Sequence, residues 1–199
     1  MARSFPLALQ LAGKPCLLLG SSAETHERAL ALLEAGALLH VISEQPSTEL
    51  RALATQHGFC LECRRFDAAD LDGKWLAVSC DRDAELSARL AQEAAARRIF
   101  HCAIDQPEGS TFSHMARVRA GLVSLCISTE GRAPALGRRL RQELSRVIEA
   151  SRLAEFAHEV AELRDRLKPS ERKAQLESVV QGLRFEGQLQ VPPAVTHEP

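Results

Sequence analysis

The apolar run Cys16-Leu17-Leu18-Leu19 ends at Gly20, and Ser21, Ser22, Ala23 and Glu24 follow as the start of a helix. Strand, tight glycine turn and helix N-terminus in that order leave backbone N–H groups pointing at open space, where they can hold a pyrophosphate. A dinucleotide turn uses three small positions: one for the turn, one for backbone contact with the phosphates and one for close helix packing. Here those positions hold Gly20, Ser22 and Thr25. The hydroxyls of Ser21 and Ser22 add donors, whereas Glu24 suits the helix dipole but repels a phosphate. An acid about 20 residues further on, past the second strand, is expected to hold ribose hydroxyls, and Glu44 is in place for it. On this pattern Glu44 reads equally well as an exposed loop acid. The cofactor-binding set read here is Gly20, Ser22, Ala23, Glu24, Glu44 and Gln45.

Other reactive side chains are less organised. The six cysteines (Cys16, Cys60, Cys63, Cys80, Cys102, Cys126) are spread along the chain, as expected of reduced and mostly buried thiols. Cys60-Leu61-Glu62-Cys63 is a lone CxxC. If 59–64 is a strand, residues three apart point to opposite faces and cannot share an ion, so a structural role is expected. No two histidines have ligand spacing on one face, and no metal-ligating set can be read. Arg117 and Arg119 are two apart on a proposed strand and share a face. Arg132, Arg138, Arg139 and Arg141 form a second cluster suited to carboxylates, with a solvated basic helix face as the competing reading of 138–141.

The elements that must position these residues alternate β and α through Asp105. Strands are expected at 16–19, 38–42, 59–64, 75–79 and 99–104, with a helix that starts within 21–24 and is stopped by Gly36, and others over 47–57 and over about 83–97. Such alternation builds a parallel sheet covered by helices. Beyond Asp105 the pattern changes to two β-like runs, 111–119 and 122–128, around Gly121, as in an antiparallel hairpin. Helix signals occupy 134–148, 153–167 and from Pro169 to about Leu183, and 187–199 is expected to be loose. The fold class is therefore α/β: a Rossmann-like parallel sheet, a small β-hairpin and helix segment, and a C-terminal helical region. The expected divisions are 1–112, 113–150 and 151–199.

Composition narrows the function. A chain of 199 residues with 45% hydrophobic content buries a real core, and 25 Lys and Arg against 26 Asp and Glu give no general drive toward nucleic acid. No apolar run approaches the roughly 20 residues that span a bilayer, and Met1 to Ala12 lacks the stretch of a secretory signal, so no membrane association and a cytoplasmic location are expected.

Several stretches carry a collinear resemblance: Phe5-Pro6-Leu7 with Leu11, Leu17-Leu18-Leu19-Gly20, Ala31-Leu32-Leu33-Glu34-Ala35-Gly36-Ala37, Asp70-Leu71-Asp72-Gly73-Lys74-Trp75-Leu76, Asp105-Gln106-Pro107, Ile127-Ser128-Thr129 through Pro134, and Leu140-Arg141-Gln142-Glu143-Leu144. In that order and spacing the first 150 or so residues resemble the N-terminal module of siroheme synthase and the stand-alone precorrin-2 dehydrogenases. The resemblance implies NAD-dependent oxidation of precorrin-2 to sirohydrochlorin, with ferrous iron then inserted as substrate. It implies Asp105 as the base in both steps, a homodimer formed through about 113–150, and a tetrapyrrole whose carboxylates meet Arg117, Arg119, Ser128, Thr129 and Arg132. His101 and His114 flank the cleft segment, where they could approach the iron, although a lone histidine is more often structural or at the surface. A carboxylate in a cleft shielded from water favours its proton more and so makes a better base. In the competing reading Asp105 only caps the turn at Pro107. Two rival functions remain: a chelatase or tetrapyrrole carrier without NAD chemistry, and a noncatalytic Rossmann-like interaction protein.

Overall fold

The computed structural model describes residues 4–187 and 189–191. Most of the expected loose end, 188 and 192–199, lies outside the described residues. The chain divides into two compact units. One runs to Met115 and includes Ser128–Pro134, and the other comprises Ala116–Ile127 and the chain from Ala135.

In the first unit β1 (Pro15–Leu19), α1 (Ala23–Glu34), β2 (Leu38–Ile42), α2 (Thr48–His57), β3 (Cys60–Glu62), a 3-10 turn (Ala68–Leu71), β4 (Leu76–Ser79), α3 (Ala84–Arg97) and β5 (Phe100–Ala103) follow in order. The sheet runs β3-β2-β1-β4-β5 with every pair parallel. Strands covered on both faces need continuous apolar runs, which is why Cys16–Leu19 carries no polar residue. Cys16, Leu18, Leu39, Val41 and Val78 pack on the face shared with Ala29, Leu32, Leu50 and Leu53 of α1 and α2. Leu17, Leu19, Ile42 and Ala77 pack on the other, against Leu90 and Ala94 of α3.

Helix ends follow local chemistry. The Ser47 hydroxyl accepts from Leu50 N at 3.1 Å to start α2, and Gly58 ends it at φ 70°, donating its N–H to Ala54 O at 2.8 Å. The Asp83 carboxylate accepts from Glu85 N and Leu86 N to start α3.

Two expectations are corrected. The strand at 59–64 is only Cys60–Glu62, because beyond it Arg64 bonds Asp70 of the 3-10 turn through two nitrogens, at 2.8 and 2.6 Å. The run 111–119 is not one strand: β6 spans Ala116–Ala120, and the preceding residues serve the open edge of β5. Thr111 N donates to His101 O at 2.9 Å, His101 N donates to Thr111 Oγ1 at 2.8 Å, and Ala103 N donates to Ser110 Oγ at 3.1 Å. Hydroxyls thus satisfy an edge that would otherwise offer unpaired N–H groups.

The second unit contains β6 and β7 (Val123–Ile127), paired antiparallel from Ala120↔Val123 to Ala116↔Ile127, then most of α4 (Pro134–Glu149), α5 (Leu153–Arg166) and α6 (Pro169–Val180). Its core is small: Val118, Ala120 and Ile148, with Leu144, Leu153 and Ala154 against them. Gly121 turns the hairpin at φ 54°, and a Cβ there would lie 3.1 Å from Ala154 O and from His158 Nε2. Gly121→Ala is therefore expected to lower stability by about 1–2 kcal/mol through positive-φ strain alone, measured by urea unfolding. Gly182→Ala, with open space around it, should leave the midpoint in place.

Candidate functional site

The parallel sheet changes winding direction between β1 and β4, and the carboxyl ends flanking that switch are where such sheets hold ligands. Two residues stand there: Gly20 after β1 and Asp81, which follows β4 by one residue beyond Cys80. At Gly20 φ is 138°, and a Cβ would meet Thr25 Oγ1 at 2.6 Å and both Asp81 Oδ1 and Cys80 Cβ at 3.1 Å. Glycine is required by the protein's own close packing.

The donors of the turn have internal partners. Ser21 N donates to Asp81 Oδ1 at 3.3 Å, the hydroxyls of Ser21 and Ser43 lie 2.8 Å apart, and Ser22 N donates to Thr25 Oγ1 at 3.2 Å. Thr25 is fully buried, so the third position of the fingerprint is filled by a hydroxyl that takes up a loop N–H. The N–H groups of Ala23 and Glu24 open α1 and have no acceptor four residues back by construction. Glu24 does not stand alone as an anion: Arg28 Nη2 donates to its Oε1 at 3.0 Å.

Asp81 was not singled out in the sequence. Burial holds its carboxyl above the ordinary value, the carboxylates of Asp83 and Glu44 push the same way, and the bond from Ser21 N–H opposes them. The available signal was an acid just past the fourth strand beside a glycine turn. Cys80 is no nucleophile, because burial pushes its thiol up to about 12. Glu44 and Gln45 are exposed beyond β2, and Glu44 Oε2 accepts from Arg65 Nε at 3.2 Å.

Asp105 follows β5 in a tight turn closed by Gln106 N to Ala103 O at 3.2 Å, at φ 60°, a conformation that Asp tolerates better than most residues. Arg82 Nη2 donates to Asp105 Oδ2 at 2.6 Å, and the two side chains are 76% and 59% exposed. Asp105 is thus an exposed carboxylate gripped by an arginine. Ser128, Thr129 and Arg132 lie in the loop between β7 and α4, where Glu130 N donates to Ser128 Oγ at 3.1 Å and Arg132 N to Thr129 O at 2.9 Å. Arg117 and Arg119 are exposed on one face of β6, in the second unit. His101 is buried and His114 exposed.

A family model described as "Putative NAD(P)-binding" matches residues 7–116. The siroheme synthase of Edwardsiella ictaluri is 32% identical over 164 residues, 82% of this chain and 35% of its own length. Siroheme synthase 1 of Aeromonas salmonicida is 35% identical over 143 residues, 72% of this chain and 31% of its own length. The chain thus spans about a third of the length of these curated relatives. The solved structure of SirC, a precorrin-2 dehydrogenase, shares the fold with a TM-score of 0.75 over 89% of each chain at 18% identity.

The Asp81 shift has a testable sign. The folded protein holds this proton more tightly than the unfolded chain, so stability is lost as pH rises through the folded pKa. Asp81→Asn should raise Tm at neutral pH, and the gap to the parent should close as pH falls toward the ordinary aspartate value of about 3.9. A gap that stays constant between those conditions would remove charge as its cause.

Proposed function

The chain belongs to the NAD(P)-binding family and is a relative of the N-terminal module of siroheme synthases, and from that premise we propose that it oxidises precorrin-2 to sirohydrochlorin with NAD⁺ and then inserts ferrous iron. The observation that carries this reading is Asp105, held by Arg82 on the carboxyl-terminal side of the sheet where the Gly20 turn also opens. Both reactions release protons, one when the macrocycle loses hydride and two when iron displaces the pyrrole hydrogens, and a carboxylate at the site takes them up. Arg82 fixes the carboxylate through Oδ2, which orients its other oxygen.

The residues at the turn fit a dinucleotide in part. The first-turn N–H groups of Ala23 and Glu24 with the Ser22 hydroxyl would hold the pyrophosphate, and Glu44 with Gln45 the ribose. Bound NAD⁺ supplies the hydride acceptor. Arg28 offsets the charge of Glu24, while Asp81 adds charge at the switch point. That same carboxylate, and the engaged N–H groups of Ser21 and Ser22, favour a second reading, a chelatase or tetrapyrrole carrier without NAD chemistry. In either reading Arg117, Arg119 and Arg132, with Ser128 and Thr129, receive the carboxylates of the tetrapyrrole.

We also propose a homodimer built on 113–150. A two-stranded hairpin is marginal alone, and Leu122 (60% exposed) and Leu125 (38%) on it, with Leu136 (53%) and Val147 (48%) on α4, are uncovered in the single chain.

Asp105→Asn keeps a residue that tolerates positive φ and should retain the fold while losing oxidation and iron insertion by about 10²-fold or more, followed by absorbance of the macrocycle. Thermal stabilisation by NAD⁺ and by sirohydrochlorin, measured separately, divides the readings: both ligands support the dehydrogenase, tetrapyrrole alone the carrier or chelatase, and neither a noncatalytic module. Light scattering should give twice the 21.8 kDa chain mass at micromolar concentration; a clean monomer sinks the dimer.

A further inference from the structure

At the sheet edge opposite β5, the β2–β3 pair gathers three metal-type donors that sequence spacing kept apart. His40 and Cys60 are register partners across the parallel pair, and Glu62 is two residues beyond Cys60, so all three share one face. His40 Nε2 lies 2.7 Å from Glu62 Oε1, Cys60 Sγ lies 3.9 Å from the same oxygen, and the three donor atoms are all within 4.8 Å of one another. Around a tetrahedral ion with nitrogen and oxygen at about 2.0–2.2 Å and sulfur at about 2.3 Å, ligand atoms sit roughly 3.3–3.8 Å apart, so small side-chain rotations close the site.

We propose that His40, Cys60 and Glu62 bind a single divalent transition ion of the zinc and cobalt(II) class, with the fourth position open to solvent. One nitrogen, one thiolate and one carboxylate select a borderline-soft ion over magnesium or calcium. Glu62 is prepared for the role. Arg64 Nε donates to its Oε2 at 2.7 Å and is itself clamped by Asp70, which leaves Oε1 aimed at His40. Cys63 is not part of the site: its sulfur accepts from Arg51 Nη1 at 3.4 Å, so the CxxC divides between two neighbourhoods.

Lys74 opposes the ion. Its Nζ lies 3.4 Å from His40 Nδ1, so a cationic side chain stands beside the place where a cation would be held. Binding takes Cys60 as its thiolate and requires Lys74 to turn away. Lys74 thus sets the affinity from outside the ligand set. This site is independent of the dehydrogenase reading, since it uses neither the Gly20 turn nor Asp105.

The test is titration of the chelator-treated full chain with Co²⁺, without tetrapyrrole, followed by d–d absorption and the thiolate-to-cobalt charge-transfer band in the near ultraviolet. One Co²⁺ per chain, a charge-transfer band, and its bleaching by Zn²⁺ are expected. Cys60→Ser, on an exposed side chain with little effect on folding, should abolish the band. His40→Gln should weaken binding, Lys74→Met should tighten it about tenfold or more, and Cys63→Ser and Cys126→Ser should leave it unchanged, with far-ultraviolet circular dichroism confirming each fold. Absence of the band in the parent, its persistence in Cys60→Ser, or its loss in Cys63→Ser overturns the site. Unchanged or weaker binding in Lys74→Met overturns the opposing role of the Lys74 charge.

Discussion

The absence of a side chain at Gly20 is the constraint around which the first unit is arranged. β1 lies at the centre of the sheet, buried on both faces, and its chain must turn into α1 with Thr25, Cys80 and Asp81 all within contact distance of where a Cβ would be. That close approach brings the end of β4 against the start of α1. It also fixes the switch point at which the two halves of the sheet part, so the positions of Ser21, Ser22 and Asp81 follow from one missing methyl group. In many dinucleotide turns the same economy of space admits a ligand; here much of it is taken by the protein's own hydroxyls and one carboxylate.

The electrostatics of the carboxyl-terminal side are correspondingly mixed. Acids at 24, 44, 81 and 83 surround the turn, and Arg28 and Arg65 pair two of them. Such exposed pairs contribute little to stability, typically below about 1 kcal/mol. Their effect on an incoming phosphate is larger, because each paired acid presents a reduced field. Among the described residues no arginine pairs with Asp81; the Ser21 N–H that it accepts is its compensation, and burial raises the cost of its charge. Beyond β5 the logic is reversed: Asp105 is exposed and bonded to Arg82.

At the opposite edge a ladder of charge runs from Lys74 through His40, Glu62 and Arg64 to Asp70. It ties the short strand β3 to β2 and to the 3-10 turn, doing for an edge strand of three residues what backbone pairing on a second side does for the central ones. The edge at β5 is managed differently, by Ser110 and Thr111 hydroxyls on its backbone groups. The two solutions differ in kind: the β3 ladder joins side chains to one another, whereas at β5 the hydroxyls bond backbone N–H groups that would cost more left without a partner than a modest side-chain bond returns.

The sequence by itself determined the β/α order, because apolar runs bounded by Ser47, Asp83, Gly36 and Gly58 carry their own start and stop chemistry within a few residues. It also placed the Gly20 turn, the Gly121 hairpin and the three C-terminal helices, and the collinear motifs pointed to the family. Strand periodicity was expected to turn Cys60 and Cys63 to opposite faces, but the strand ends at Glu62, and Cys63 bonds Arg51 from beyond it. Only the tertiary structure decided which acid stands beside Gly20. Glu44 sits at the spacing a fingerprint expects, but strand order, set by packing of both sheet faces, brought β4 and Asp81 to the switch point. It alone joined His40 to Cys60, twenty residues apart, through parallel register, and turned Ser110 and Thr111 from strand residues into an edge cap. Local spacing encodes what a residue's neighbours along the chain can do; which strands lie side by side depends on how distant apolar faces bury one another, and no short window of sequence contains that.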